Sequence, residues 1–272
     1  MEKADRAGRS IGPPVRIAAL FDIHGNLPAL EAVLDEVRQA GVDRIVVGGD
    51  VVPGPMPREA LERLLDLDPP AQFIHGNCEL AVLAQRAALD GGAVTYWGTT
   101  SGKPLPEPDR ENMRWTAQQL TPGHERAIAR WPKTLGLEIA GLGHVLFCHG
   151  TPRSETEVFT RLTSEDRLLP LFENLQASVV VCGHTHMQFD RRIGRTRVVN
   201  AGSVGMPFGE PGACWALLGP GVHLRNTRYD LAKAAERIRG TQYPQAREYA
   251  HDVVQPPVER EMLELFGKAE VK

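Results

Sequence analysis

Short apolar runs that each end in a carboxylate, an amide or an imidazole constrain this chain more than any other feature. VRIAAL (15–20), RIVV (44–47) and QFIH (72–75) are too short for stable helices and suit buried strands. Helical periodicity fills the segments between them. LPALEAVLDEVRQA puts Leu27, Leu30, Val33, Leu34 and Val37 on one face. Asn26 stands at its N-cap position, Pro28 is tolerated in the first turn, and Gly41 follows the end. PREALERLLDL (57–67) and ELAVLAQRAAL (79–89) read as two further helices. Strands alternating with helices predict an α/β layered sheet.

From Asp90 the alternation breaks. Glycines and prolines crowd a polar stretch holding Tyr96 and Trp97, and helical segments follow around Glu111–Leu120 and Pro122–Trp131. This predicts a cap-like insertion of loop and helix over about 91–133. Beyond Leu135, the runs LGLEIA, HVLFC, SVVVC, TRVV, ACWALL and VHLRN are strand-like, with Gly194 in an arginine-flanked hairpin. The expected organisation is a loose tail over 1–14 and one domain over 15–230. A charged helical tail over 231–272, interrupted by Pro244, Pro256 and Pro257, completes it.

The 272 residues suffice for one large core. With 31 Lys+Arg against 34 Asp+Glu, the net charge of −3 speaks against a strongly basic nucleic-acid surface. No run approaches the roughly 18–20 apolar residues of a membrane span. The polar start MEKADRAGRSIGPP has no apolar core of a signal peptide, so none is expected. Cys78, Cys148, Cys182 and Cys214 form no CxxC pair, which predicts reduced thiols and a cytoplasmic location.

The chemistry collects where the apolar runs stop, at the edge where an open α/β sheet places its ligand crevice. Asp22 and His24 follow the first run, Asp50 the second and Asn77 the third. His149 follows HVLFC, and His184 and His186 follow SVVVC. Carboxylates and imidazoles bind borderline divalent metals, and Asn77 adds an amide oxygen. In D-x-H and H-x-H pairs on loops, alternate residues can converge while the intervening one points away. Each motif alone reads as a cap or turn; five such clusters at strand ends point to a metal site.

The set Asp22-Ile23-His24, Gly49-Asp50, Gly76-Asn77-Cys78-Glu79, His149 and Gly183-His184-Thr185-His186 resembles the calcineurin-like metallophosphoesterases. NAGSVGMP (200–207) extends the resemblance, which covers about 15–228. The chain is most similar to small bacterial and archaeal phosphodiesterases whose third motif reads G-N-C. The resemblance implies a four-layer αββα sandwich of two mixed sheets flanked by helices. It also implies two divalent metal ions, with Asp22, His24 and His186 on one and Asn77, His149 and His184 on the other. Asp50 would bridge them and hold a hydroxide that attacks phosphorus in line with the leaving oxygen. Manganese is the metal the family suggests, while the donor set also suits Fe, Zn, Ni or Co.

One position departs from the family pattern. Cys78 stands where most relatives carry a histidine on the leaving-group side, and a thiol is a weak donor. Arg153, four residues past His149, is a candidate for a phosphate oxygen, as is Asn77. The leading reading is a phosphodiesterase acting on a small phosphoester. A phosphomonoesterase or protein Ser/Thr phosphatase, and a non-catalytic scaffold, remain as alternatives; oligomeric state is open.

Overall fold

The computed structural model describes residues 16–271, so the tail expected over residues 1–14 lies outside the described residues. The first half alternates as the sequence predicts: β1 (Ile17–Leu20), α1 (Leu27–Ala40), β2 (Arg44–Val47), α2 (Pro57–Leu65), β3 (Gln72–Phe73) and α3 (Asn77–Leu89). Asn26 caps α1 by accepting the Ala29 N–H at 3.2 Å, and Gly41 ends it in the left-handed conformation. The insertion contains α4 (Glu107–Gln119) and α5 (Pro122–Ile128). The second half runs β4 (Thr134–Ile139), β5 (Gly143–Cys148), α6 (Glu165–Phe172), β6 (Val179–Cys182), β7 (Phe189–Ile193), β8 (Thr196–Asn200), β9 (Ala213–Leu218) and β10 (Val222–Thr227). Helices α7 (Leu231–Arg239), α8 (Ala246–Val254) and α9 (Glu259–Gly267) follow.

Two five-stranded mixed sheets result, ordered β10-β9-β1-β2-β3 and β4-β5-β6-β8-β7. Period-two alternation along β1 assigns its side chains to different layers. Ile17, Ala19 and Phe21 meet Val145, Phe147, Val181 and Val199 between the sheets. Ala18 and Leu20 face the other way, onto α1 and α2. On the far side of the second sheet, Leu168, Leu171 and Phe172 of α6 cover Val180, Cys182 and Val198. The layers are therefore helix, sheet, sheet, helix, as the resemblance implies. Each fully buried Ile or Phe contributes about 1.5–3 kcal/mol, so the three apolar clusters between the four layers outweigh any single loop in setting this architecture.

Two segments differ from their sequence reading. Helices α7 and α8 form part of the helical layer instead of a peripheral tail, because Ala234, Ala235, Ile238, Tyr249, Ala250 and Val253 join the core under α1. Their charges lie on the opposite face. Helix α6, which the sequence reading omits, carries Pro170 inside it. Its eight residues and internal proline weaken the periodic signal.

All four cysteines are free and buried. No helix among the described residues is long and apolar enough to cross a membrane.

Candidate metal centre

The parallel strands β1, β2, β5 and β6 point their C-terminal ends to one place, and the loops beyond them interlock. Asp22 N–H donates to the Gly49 carbonyl at 3.1 Å, and His24 N–H to the Asp50 carbonyl at 2.9 Å. Gly183 N–H donates to the His149 carbonyl at 3.0 Å. Donor atoms of Asp22, His24 and His186 lie within 4.8 Å of one another, as do those of Asp50, His149 and His184. Asp50 Oδ2 is 3.3 Å from His149 Nε2 and 3.9 Å from His24 Nε2, so it faces both groups. His24, Asp50 and Cys78 form a third such group, which puts the Cys78 sulfur close to the Asp50 carboxylate. Asn77, first residue of α3, is buried next to it.

Backbone conformation singles out the same residues. Among the described residues, positive φ at a non-glycine occurs at Asp22, His24, Asp50, His184 and His186 alone. Each such conformation costs about 1–3 kcal/mol and persists where surrounding structure imposes it, typically at functional sites. Five strained residues converging on one point are expected when side-chain direction matters more than backbone comfort. Two glycines keep the approach open. A Cβ on Gly76 would lie 2.0 Å from Asp50 Oδ1, and one on Gly183 would lie 2.4 Å from Asp22 Oδ2.

The hydrogen bonds leave the atoms needed for a metal unpaired. Asp22 Oδ2 accepts the His184 N–H at 2.9 Å, which leaves Oδ1 buried without a partner. The Asn77 amide donates to the Gly98 carbonyl at 3.0 Å, and its oxygen stays unpartnered. His149 Nδ1 donates to the Gly48 carbonyl at 2.9 Å and His186 Nδ1 to the Met206 carbonyl at 2.8 Å. Both contacts fix the tautomer and turn Nε2 inward. Nε2 of His24 and of His186 then stand 3.2 Å apart, a contact that needs a cation or a proton between two lone pairs. Orphaned buried acceptors of this kind cost about 1–3 kcal/mol each unless something occupies the space they face. The donor set fits divalent metal.

Electrostatics agree. Burial opposes ionisation of Asp50, but His149 beside it holds its carboxyl well below the usual range. Asp22 is likewise held low against its own burial, chiefly by His186 and His149. Burial also works against the His149 imidazolium, yet Asp50 and Asp22 outweigh it and raise His149 to about 10. Burial and the charge of His186 push His24 down to about 4, and burial with His149 does the same to His184. The buried carboxylates thus favour a proton on His149 and, against burial, Asp22 raises His186 as well. Metal would displace those protons. Removing metal with a chelator should therefore lower the melting temperature, and reloading should restore it. At a free metal concentration 100 times Kd, one site adds about 2.7 kcal/mol. Thermal melts of stripped and reloaded protein check this.

Several supporting residues carry no function in the sequence reading. Glu79 is fully buried and accepts backbone N–H groups from Asp50 at 2.8 Å, Val51 at 2.7 Å and Gly76 at 2.7 Å. It ties the loop after β2 to the start of α3. Its place as fourth residue of the G-N-C-E motif was the available signal. Asn200 holds the carbonyl of Gly183 at 2.6 Å, and Ser203 that of Asp22 at 2.7 Å, which gives NAGSVGMP its structural meaning. Tyr249 of α8 donates to the His24 carbonyl at 2.9 Å, a contact with no local sequence signal.

The remaining predicted residue, Arg153, makes other contacts, and so do the aromatic residues of the insertion. Arg153 pairs with Glu157, with Nε donating to Oε1 at 2.6 Å, and has no hydrogen bond or ion pair with the cluster. Tyr96 donates to Glu155 at 2.7 Å, Trp97 lies under Arg110, and Trp115 packs edge-on against Tyr243.

Comparison with known proteins shows the fold and the family. A crystal structure of a metallophosphoesterase from Sphaerobacter thermophilus shares 25% identity over 89% of this chain and 98% of that one, with a TM-score of 0.66. A hypothetical protein from Pyrococcus horikoshii has the same fold at 20% identity, with a TM-score of 0.71 over 88% of this chain and 97% of that one. An uncharacterized protein of Methanocaldococcus jannaschii is 25% identical over 84% of this chain and 94% of its own length. The profile described as the calcineurin-like phosphoesterase superfamily domain matches residues 15–219, three quarters of the sequence and every candidate ligand, and the chain belongs to that superfamily.

Proposed function

We propose that the protein is a dinuclear, metal-dependent phosphodiesterase, with manganese as the working metal. The observation that carries this reading is the coincidence of strained backbone with candidate ligands at Asp22, His24, Asp50, His184 and His186. Asp22, His24 and His186 hold one ion; Asn77, His149 and His184 hold the other; Asp50 faces both. Bound there, two divalent ions supply Lewis acidity and a nucleophilic water of lowered pKa. The protein supplies direction: Gly48 and Met206 carbonyls orient the imidazoles, and Glu79 fixes the backbone that carries Asp50. Free buried cysteines fit a reducing compartment such as the cytoplasm.

Preference for diesters has its own support. A cavity beside His24 leaves room for a second ester arm. With manganese loaded, kcat/KM for bis(p-nitrophenyl) phosphate should exceed that for p-nitrophenyl phosphate by about tenfold or more, which is about 1.4 kcal/mol in transition-state stabilisation. A reversed ratio would favour the phosphomonoesterase reading. No hydrolysis of either ester by fully loaded protein would favour a scaffold.

Cys78 sets a second expectation. Burial and the Asp50 carboxylate push its thiol pKa well above the ordinary value, so it stays protonated and offers only a weak donor. Rates should fall steeply as the leaving-group pKa rises. Cys78→His should restore a proton donor and raise the rate on alkyl esters about tenfold, with little gain on nitrophenyl esters. A shallow leaving-group dependence in the unaltered protein would show that another acid acts.

A further inference from the structure

The two halves of the candidate metal centre are braced by different parts of the chain. Asp22, His24 and His186 are braced by Ser203, Tyr249 and Met206, all in the second half of the sequence. Asn77 is held instead by the insertion. Its amide nitrogen donates to the Gly98 carbonyl at 3.0 Å and, to a weaker acceptor, the Cys78 sulfur at 3.4 Å. With both amide protons directed there, Oδ1 is the end left over, and it is buried without a partner. The direction of this candidate ligand therefore depends on where residue 98 stands.

Gly98 lies in the connection between α3 and α4. Its φ of +69° and the 3.1 Å that would separate a Cβ from the Asn77 carbonyl oxygen explain the glycine: the connection closes directly onto α3. Two residues to either side, Tyr96 and Thr100 reach across to the loop after β5. The Tyr96 hydroxyl donates to Glu155 Oε1 at 2.7 Å, and the Thr100 hydroxyl donates to the Thr156 carbonyl. Glu155 is a fixed anchor, 9% exposed, with its other oxygen 3.4 Å from Lys133 Nζ. Burial and the Glu155 carboxylate push the Tyr96 hydroxyl well above its ordinary pKa, so it keeps the proton it donates. The anchoring loop in turn folds back beside His149. A Cβ on Gly150 would lie 2.7 Å from the Glu157 carbonyl oxygen and 3.1 Å from that of Glu155. The stretch 96–100 thus joins Asn77 to the loop that carries His149, two candidate ligands of one ion. Trp97, under Arg110 at 5.9 Å, ties the same stretch to α4, which carries no ligand.

On the dinuclear reading above, we propose that Tyr96 and Thr100 are positioning residues for Asn77. They clamp the insertion onto the His149 loop, and the Gly98 carbonyl then turns Asn77 Oδ1 toward the ion shared with His149 and His184. The clamp makes affinity for that ion depend on the insertion, while affinity for the ion on Asp22, His24 and His186 does not. Groups that orient a ligand without touching the metal are worth about 10–100-fold in metal affinity. Here the orienting group is a backbone carbonyl, so it is reached through the side chains that fix its loop.

Manganese titrated into chelator-stripped protein tests this. Calorimetry reads the two affinities, and electron paramagnetic resonance separates an isolated manganese ion from a coupled pair. The unaltered protein should take up two ions, with the coupled signal growing as the second binds. In the double variant Tyr96→Phe, Thr100→Val the second ion should bind at least tenfold more weakly. The first should stay within about twofold, and far-ultraviolet circular dichroism should not change. If the double variant does not fold, Tyr96→Phe alone decides: a loss of about threefold confined to the second ion supports the clamp, and none overturns it. Two ions bound with the same affinities in every variant overturn this proposal alone. A loss shared equally by both ions also overturns it, because general loosening of the fold would weaken both halves. One ion or none in the unaltered protein removes the dinuclear reading and this proposal with it.

Discussion

Asp50→Asn should lower phosphodiester hydrolysis by about a thousandfold, near 4 kcal/mol of transition-state stabilisation, while the fold stays intact. The reason is positional. Asp50 Oδ2 lies 3.3 Å from His149 Nε2 and 3.9 Å from His24 Nε2, between the two groups of candidate ligands. Its other oxygen is already committed, accepting the Cys78 N–H at 2.9 Å. An asparagine keeps the shape and that hydrogen bond but removes the charge that would offset repulsion between the two dications of the proposed centre. Metal content should drop with activity, and far-ultraviolet circular dichroism should not change, because the sandwich is held by apolar layers that Asp50 does not enter. Hydrolysis within about tenfold of the unaltered protein, at full metal loading, would remove Asp50 from its bridging place.

Glu79→Gln should produce the largest loss of stability among conservative changes near the site. The carboxylate accepts backbone N–H groups at both oxygens: Asp50 and Gly76 at Oε2, and Val51 and Val52 at Oε1. An amide can keep one oxygen end but must turn an NH₂ group toward two N–H donors. Two buried donors are then left unpaired, each costing about 1–3 kcal/mol. Burial and nearby Asp50 already push the Glu79 carboxyl up to about 7, so loss of its charge returns part of that cost. A net loss of about 3 kcal/mol should lower the melting temperature by roughly 6–12 °C for a domain of this size. Glu138→Gln on exposed β4 is the control and should change it by less than about 2 °C. A shift no larger than the control would show that the loop after β2 holds its conformation without Glu79.

What could be read from the sequence follows from where its signals are local. Helix α1 has the predicted bounds because Asn26 and Gly41 mark them chemically, and β2 is RIVV as expected. The strand-end carboxylates and imidazoles meet because parallel strands deliver their C-terminal ends to one edge. The G-N-C-E motif marks the place of Glu79, but its role was not legible, since its partners are backbone N–H groups that look alike in every sequence. Nor was that of Tyr249, which reaches the His24 carbonyl from 225 positions away. Helices α7 and α8 read as a charged tail because their buried faces are built largely of alanine, a weak apolar signal. Left-handed φ at five candidate ligands runs against local preference for Asp and especially His, so only the assembled site explains it.

The central claim is that two divalent ions are held by Asp22, His24, Asp50, Asn77, His149, His184 and His186. Elemental analysis of protein stripped by chelation, reloaded with manganese and dialysed tests it most directly. The account predicts about two ions per chain, falling toward one or none in Asp50→Asn. One ion or fewer in the reloaded, folded, unaltered protein would contradict it.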